Sequence, residues 1–314
     1  MAVTAAAPAQ SQSWKPTRNI EIIVGAGAGG GADATARVMQ KLMQERLLQE
    51  VSSSVVNKTG GGSSVSYIYL NQHAGDAHYL ALSLQPLVTG AITGTSSVSY
   101  ADVTPLAHLF NEYVGFGVRP DAAIRSGKDL AERLKRDPGS VSIGLTTALG
   151  GSNHLAAALA MKAAGVDIRK MRIVVFSGAG ESMSAVMGGH VDVVALGAFS
   201  LDPLFKAGKL RGIAVSAPHR LGEAYAEVPT WKELGINSVF SNWRGVVGPK
   251  AMTPAQIAYW DGVLGRLAHD PEWNADLLRR AQEPDYRNSA ETRRFLAQQY
   301  DELRGALVEL GMAK

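Results

Sequence analysis

The chain has 314 residues, 46% hydrophobic and 19% charged, with a formal net charge of +3 and no cysteine. That length builds one large domain or two medium ones with an ample core. The absent thiols exclude disulfides, cysteine-ligated zinc, cysteine nucleophiles and a lipoprotein anchor; the small positive surplus, without a run of five like charges, speaks against nucleic acid or an anionic membrane and suits an anionic small ligand.

Residues 1–13 are rich in Ala, Pro, Gln and Ser and have neither a basic start nor a long apolar core. They read equally as a disordered tail or, from Ala5-Ala6-Ala7 and Ala9, as the small-residue end of a secretory signal whose front is missing. No apolar run reaches the length of a membrane span.

Ile20, Ile22, Ile23 and Val24 form a short β-branched run suited to a buried parallel strand. Gly25, Gly27, Gly29, Gly30 and Gly31 break it; Asp33 stands where a helix cap would, and Ala34 to Leu48 continues with helix formers. A strand, glycine loop and helix in this order bare backbone N–H groups at the positive end of a helix dipole, which is an anion site. Gly25-x-Gly27-x-x-Gly30 also spells the dinucleotide fingerprint. That fingerprint needs an acid at the end of the next strand to hold a ribose, whereas Val51 to Asn57 ends in Asn57-Lys58-Thr59. A small carboxylate therefore fits the loop better than a nucleotide, and an NAD-dependent oxidoreductase is the alternative.

Thr59 to Ser64 is a second glycine loop, opening a helix over Val65 to His73. Tyr79 to Leu84 is a third strand, left through a turn from Gln85 to Thr95 marked by Pro and Gly. The order β-α-β-α-β predicts a parallel sheet covered on both faces. Leu106 to Val118 reads as one or two strands, and Arg119-Pro120 as a boundary.

The pattern then repeats. Ile124 to Arg136 is a helix closed by Asp137-Pro138-Gly139, and Val141 to Leu145 a strand followed by the small polar loop Thr146 to Asn153. His154 to Gly165 is a helix and Met171 to Phe176 a strand, with Ser177-Gly178-Ala179-Gly180 leading into a helix over Glu181 to Met187. Strands follow at Val191 to Leu196 and Leu210 to Val215, around a helical turn from Leu201 to Ala207. Pro229 to Leu234 is a short helix and Trp243 to Val247 a strand; from Thr253 onward the chain reads as helix, over Pro254 to Ala268, Pro271 to Ala281 and Ala290 to Leu310. Two α/β lobes with small-residue loops at strand C-termini place a ligand cleft between them.

The seven histidines show no metal spacing, and no Gly-x-Ser-x-Gly elbow, Walker A or Ser-x-x-Lys motif occurs. What recurs is glycine and hydroxyls at helix starts: neutral donors that hold an anion without reacting with it. Asp33 serves equally as a helix cap or a ligand contact. Arg244 is placed to pair with a carboxylate or to sit on the surface. His154, at a helix start, supports the loop before it. Phe176, Phe199 and Trp243 wall a pocket or fill the core.

Several stretches together resemble the Bug receptors, the extracytoplasmic solute-binding proteins of tripartite tricarboxylate transporters. They are Trp14-Lys15-Pro16, Gly29 to Asp33 with Ala36-Arg37, Asn57-Lys58 with Gly60, Asp102 to Leu106 and Gly150 with His154-Leu155. Further on come Gly188 to Asp192, Ala207 to Arg211, Val228 to Gly235, and Trp243 with Gly245 and Pro249. The resemblance implies a two-lobed periplasmic-binding fold of type II: α/β, each lobe a mixed sheet flanked by helices, the ligand cleft between lobes. The first lobe is expected over residues 14–118 and 240–314 and the second over 119–239, behind a disordered tail at 1–13. It further implies a periplasmic receptor, not an enzyme, that takes no cofactor or metal, acts as a monomer, captures a small carboxylate and hands it to a membrane permease.

Carried onto this chain, the ligand-binding positions are Gly27, Ala28, Gly29, Gly30 and Asp33 in the first lobe. In the second they are Thr147, Gly150, Gly151, Ser152, Asn153, Ser177, Gly178 and Ala179. Gln85, Phe199 and Arg244 complete the expected set. The chain departs from the family in having Gly25-Ala26 for Pro-Phe, and Val175-Phe176-Ser177-Gly178 for a Pro-Tyr-Lys-Gly-like segment. Ala26 makes the pocket roomier, and with the nearby aromatics this points to an aromatic dicarboxylate.

Overall fold

The structure, a computed structural model, describes residues 14–146 and 148–314; the expected tail at 1–13 and Thr147 lie outside the described residues. The β-branched run becomes β1 (Ile20–Val24), where all but Glu21 are buried. α1 (Gly31–Arg46) returns over it, and β2 (Ser53–Asn57) pairs parallel to β1 in register from Ile20↔Ser53 to Val24↔Asn57. α2 (Ser64–Asn71) and β3 (Tyr79–Ser83) repeat the unit, with β3 parallel to β1 on its other side. The segment read as a turn is a helix, α3 (Pro86–Thr93), because its Pro and Gly are start and stop signals: Pro86 opens the first turn and Gly94, at φ 71°, closes the last. β4 (Thr104–Glu112) completes the first pass.

The apolar stretch from Leu106 to Val118 resolves into two strands of different sheets. β5 (Val114–Val118) pairs antiparallel with strands of the second sheet, so the chain crosses at Tyr113 and the sheet boundary falls before β5 rather than after residue 118. Unbroken burial across the junction hides the crossing in the sequence.

The second sheet continues through α4 (Gly127–Arg136), β6 (Ser142–Thr146), α5 (Ser152–Ala163), β7 (Arg172–Phe176), α6 (Ala179–Met187), β8 (Val193–Gly197), α7 (Ala198–Lys206) and β9 (Arg211–Val215). Its strand order is β7-β6-β8-β5-β9, with β6 parallel to both neighbours. The expected helix at Pro229–Leu234 is a run of turns, held where Thr230 bridges to Val215.

The return crossing lies at Ser241, which bridges antiparallel to Tyr113. β10 (Arg244–Gly248) inserts antiparallel between β3 and β4, followed by α8 (Pro254–Ala268) and α9 (Pro271–Arg279). A strand then appears that the sequence reading lacked, β11 (Gln282–Arg287), along the free side of β4, before α10 (Ser289–Glu309). The first sheet thus runs β11-β4-β10-β3-β1-β2. Gln-Glu-Pro-Asp-Tyr-Arg has no apolar alternation, and Pro284 is tolerated because an edge strand leaves one side unpaired.

The C-terminal ends of β1, β3 and β4 and the N-terminal ends of β10 and β11 share one edge of the first sheet. The C-terminal ends of β6 and β8 form the corresponding edge of the second. Leu303, Ala306 and Leu307 of α10 join one core cluster with Val88 and Ile92 of α3 and Leu155 and Ala156 of α5, so α10 packs against elements of both layers.

Candidate functional site

Between the two edges lies a cavity of about 1040 Å³. The glycine loop after β1, the Thr59–Ser63 loop and Leu84–Pro86 line it from the first sheet, and Gly151–Asn153, Gly197, Phe199 and Ser200 from the second. Glu112, Asn242 and Arg244 line it at the crossing.

Five helices begin on this cavity. The N-cap residues of α1, α2, α3, α5 and α7 are Gly30, Ser63, Gln85, Gly151 and Gly197; all five line it and none gives a side-chain cap. By contrast α4, α8, α9 and α10 are capped by the side chains of Ser126, Thr253, Asp270 and Asn288. α6 is also uncapped, at Gly178, but starts away from the cavity. Helix starts leave backbone N–H groups without intrahelical partners, and those N–H groups with their dipoles favour an anion; α1 and α5 offer such amides, whereas α3 opens on Pro86, its Leu87 and Val88 amides donate to Leu84 O and Gln85 O, and Ala198 N of α7 donates to Tyr113 O, so these two add chiefly their dipoles. No metal is needed for this, and among the described residues no group of His, Asp and Glu is placed to hold one.

Asp33 shapes the first of these starts. It stands inside the first turn of α1 rather than at the cap, because Gly31 and Ala32 are already helical. Its buried carboxylate accepts from Gly29 N at 2.9 Å, Arg37 Nε at 2.8 Å and Asn57 Nδ2 at 3.0 Å. The Arg37 guanidinium foremost, then the Gly29 amide, hold its carboxyl down to about 2. With its oxygens so occupied, Asp33 anchors the loop from beneath while Gly29, at φ 78°, turns the backbone toward the cavity. Asn57 also donates to Ala26 O at 2.9 Å, so an amide engaged with the protein occupies the place where a dinucleotide site keeps its ribose-binding acid.

Gln85 is 2% exposed, lines the cavity, and its Nε2 has no hydrogen-bond partner. A buried unpaired donor is costly, and an acceptor in the cavity would satisfy it. Arg244 does face a carboxylate, but one of the chain's own: Nη2 lies 3.5 Å from Glu112 Oε2, while Nη1 donates to Asn242 Oδ1 at 2.8 Å and Trp243 O at 3.0 Å. Burial pushes the Glu112 carboxyl up, against the pull of Arg244 and Asn242. Across the crossing, Ser152 Oγ donates to Asn242 Oδ1 at 2.9 Å.

Of the positions expected from the sequence, Gly27, Gly29, Gly30, Gln85, Gly151, Ser152, Asn153, Phe199 and Arg244 line the cavity. Ala28 is exposed but off the wall, and Asp33 lies beneath it. Gly150, at φ 79°, is buried against Met312. Its N–H donates to His154 Nδ1 at 2.9 Å, so His154 supports the loop as expected, and burial lowers the imidazole pKa. Ser177, Gly178 and Ala179 are off the wall because they follow β7, the edge strand of its sheet. Of the three aromatics, Trp243 is 1% exposed in the core and Phe176 packs within the second-sheet core, whereas Phe199, 48% exposed, lines the cavity. The sequence reading lacked Glu112, Ser200, Asn242, Asp276, Arg279, Arg280 and Gln282, which also line it.

The sequence model of the family described as tripartite tricarboxylate transporter family receptor matches residues 35–312. A UPF0065 protein from the gbd 5′ region of Cupriavidus necator is 29% identical, over 99% of this chain and 93% of its own length. Protein BugT of Bordetella pertussis is 26% identical, over 98% and 93%. Among solved structures, a TctC solute binding protein from Polaromonas superposes with a TM-score of 0.79 at 25% identity, covering 94% of this chain and 99% of that one. An R. palustris protein described with adipate gives a TM-score of 0.80 at 20% identity, covering 95% and 99%.

Proposed function

This chain belongs to the tripartite tricarboxylate transporter receptor family, and from that premise we propose that it captures a small organic dicarboxylate between its two sheets and delivers it to the permease of such a transporter. The family and the solved proteins it resembles are solute-binding receptors, so the chain is a receptor rather than an enzyme. We place it in the periplasm, acting as a monomer. Among the described residues no helix is long and apolar enough to cross a membrane.

The observation that carries the carboxylate reading is the convergence of five helix starts without side-chain caps on one cavity. Four helices elsewhere, α4, α8, α9 and α10, cap their first turns with their own side chains; α1 and α5 leave their first amides to a guest. Gln85 adds a buried donor of the same polarity. A similar fold described with adipate agrees with this class of ligand. Ala26 and the exposed face of Phe199 leave room for an aromatic body.

A thermal-shift screen of aliphatic and aromatic acids against the unliganded protein tests this. Mono- and dicarboxylates should raise Tm where amines and neutral sugars do not. Gln85→Leu should weaken the best acid about tenfold, the effect of losing one hydrogen bond to a charged group, and should leave the unliganded Tm unchanged or higher. Equal affinity in the variant would remove Gln85 from the site; a screen without a responding acid would overturn the carboxylate reading.

A further inference from the structure

The cavity is longer than one carboxylate needs. Its glycine-loop end lies at β1, and its other end is formed by Gln282 on β11 with Arg279 and Arg280 from the end of α9. Four strand spacings separate β1 from β11, about 19 Å. The volume, about 1040 Å³, stands at the top of the roughly 300–1000 Å³ typical of sites for drug-sized molecules.

The far end carries its own recognition groups. Gln282 is 8% exposed and its side-chain amide lines the cavity. Arg279 and Arg280 share a single carboxylate, Asp276, at 3.1 and 3.0 Å, so this end keeps a positive surplus and unused guanidinium N–H donors. The neighbouring carboxylate, Glu112, is engaged with Arg244 and Asn242 instead. Phe199 and Ser200 line the cavity from the second sheet.

We propose that Arg280, Arg279 and Gln282 form a second anion subsite, so that the solute is an elongated dianion: one acid at Gln85, beside the glycine loops, an apolar or aromatic body against Phe199, and the other acid at this end. This rests on the carboxylate reading above and names the class of acid. Gln85 follows β3 and Gln282 opens β11, three strand spacings apart. That is about 14 Å; hydrogen bonds of about 3 Å at each end leave on the order of 8 Å between the two acid groups. A four-carbon diacid is too short to reach both.

The test is calorimetric titration of the full chain with matched probes: succinate, suberate and octanoate, then naphthalene-2,6-dicarboxylate and 2-naphthoate. The long diacids should bind at least about tenfold tighter than succinate and than the monoacid of equal length. Arg280→Gln should abolish that advantage while leaving monoacid affinity unchanged, and Arg280→Lys should restore part of it. Diacids and monoacids of equal affinity, or an Arg280→Gln variant that weakens both alike, would overturn the second subsite and leave the carboxylate reading standing. Failure of every acid to bind would take down both.

Discussion

Asp33→Asn is the most direct probe of how the glycine loop is held. Three donors converge on the Asp33 carboxylate: Gly29 N, Arg37 Nε and Asn57 Nδ2. An asparagine in the same rotamer must turn its NH₂ toward one of them, so it loses the charge and sets donor against donor. The carboxyl is lowered from 3.8 to about 2, which corresponds to about 2 kcal/mol of stabilisation at neutral pH. The Arg37 side chain is 56% exposed, so solvent screening brings the charge contribution to roughly 1–2 kcal/mol. The donor left unsatisfied adds about 1 kcal/mol.

The variant should therefore be less stable by roughly 2–3 kcal/mol at pH 7, read by urea denaturation with tryptophan fluorescence. The sign with pH follows from the depressed carboxyl: its stabilisation is complete above the unfolded-state value near 3.8 and fades as pH falls through about 2. The gap between the two proteins should hold steady from pH 7 to about 5 and narrow between about 4 and 2. A gap that is absent, or that does not change across the acid range, would refute the assignment of Asp33 as the charged anchor of the loop.

Two further changes are expected to be informative. Glu112→Gln releases Arg244 from its carboxylate partner, so it should tighten carboxylate binding several-fold at pH 7. Because burial raises the Glu112 carboxyl, the advantage should shrink as pH falls and the wild-type group takes up its proton; titrations at pH 5 to 8 that show equal or weaker binding would contradict this. Gly245→Ala places a Cβ 2.2 Å from Ala107 O and 2.8 Å from Ser83 Oγ. The backbone oxygen cannot retreat without parting β4 from β10, so a loss of about 3 kcal/mol or more is expected, and an unchanged urea midpoint would refute it.

Strands whose interiors are continuous apolar runs, such as Ile20–Val24 and Val193–Leu196, were readable because the residues at their ends change character abruptly. Loops that break such strands with glycine were readable for the same reason, and they supplied Gly27, Gly29 and Gly30 and Gly151 to Asn153. Ser177–Ala179 has the same local chemistry, yet it misses the cavity because β7 is at the sheet edge, and strand order is not a local property. The same gap explains Glu112, Asn242 and the segment from Asp276 to Gln282. They reach the cavity because β10 inserts between β3 and β4 and β11 adds beyond β4, pairings between segments more than a hundred residues apart. Gln282 is hidden twice, since its strand is polar and falls in the gap between the expected helices Pro271 to Ala281 and Ala290 to Leu310. Pro86 and Gly94 show the remaining difficulty: one pair of residues marks a turn or the two ends of a helix, and packing decides between them.

The crossing and the binding wall are made of the same residues. Glu112 and Asn242 exchange backbone hydrogen bonds at 3.3 and 2.7 Å beside the Tyr113–Ser241 bridge, so they join the two passages of the chain between sheets. Their side chains also line the cavity, bonded to each other at 3.2 Å, to Arg244, and through Asn242 to Ser152 of the opposite wall. A rotation of one sheet against the other about this point would strain that network directly. The end of α10 and the residues after it also touch the second sheet's elements: Met312 lies against Gly150, and Arg169 and Lys162 hold Glu309. A ligand that altered the Glu112–Asn242–Arg244 arrangement would act directly on the residues that join the two sheets.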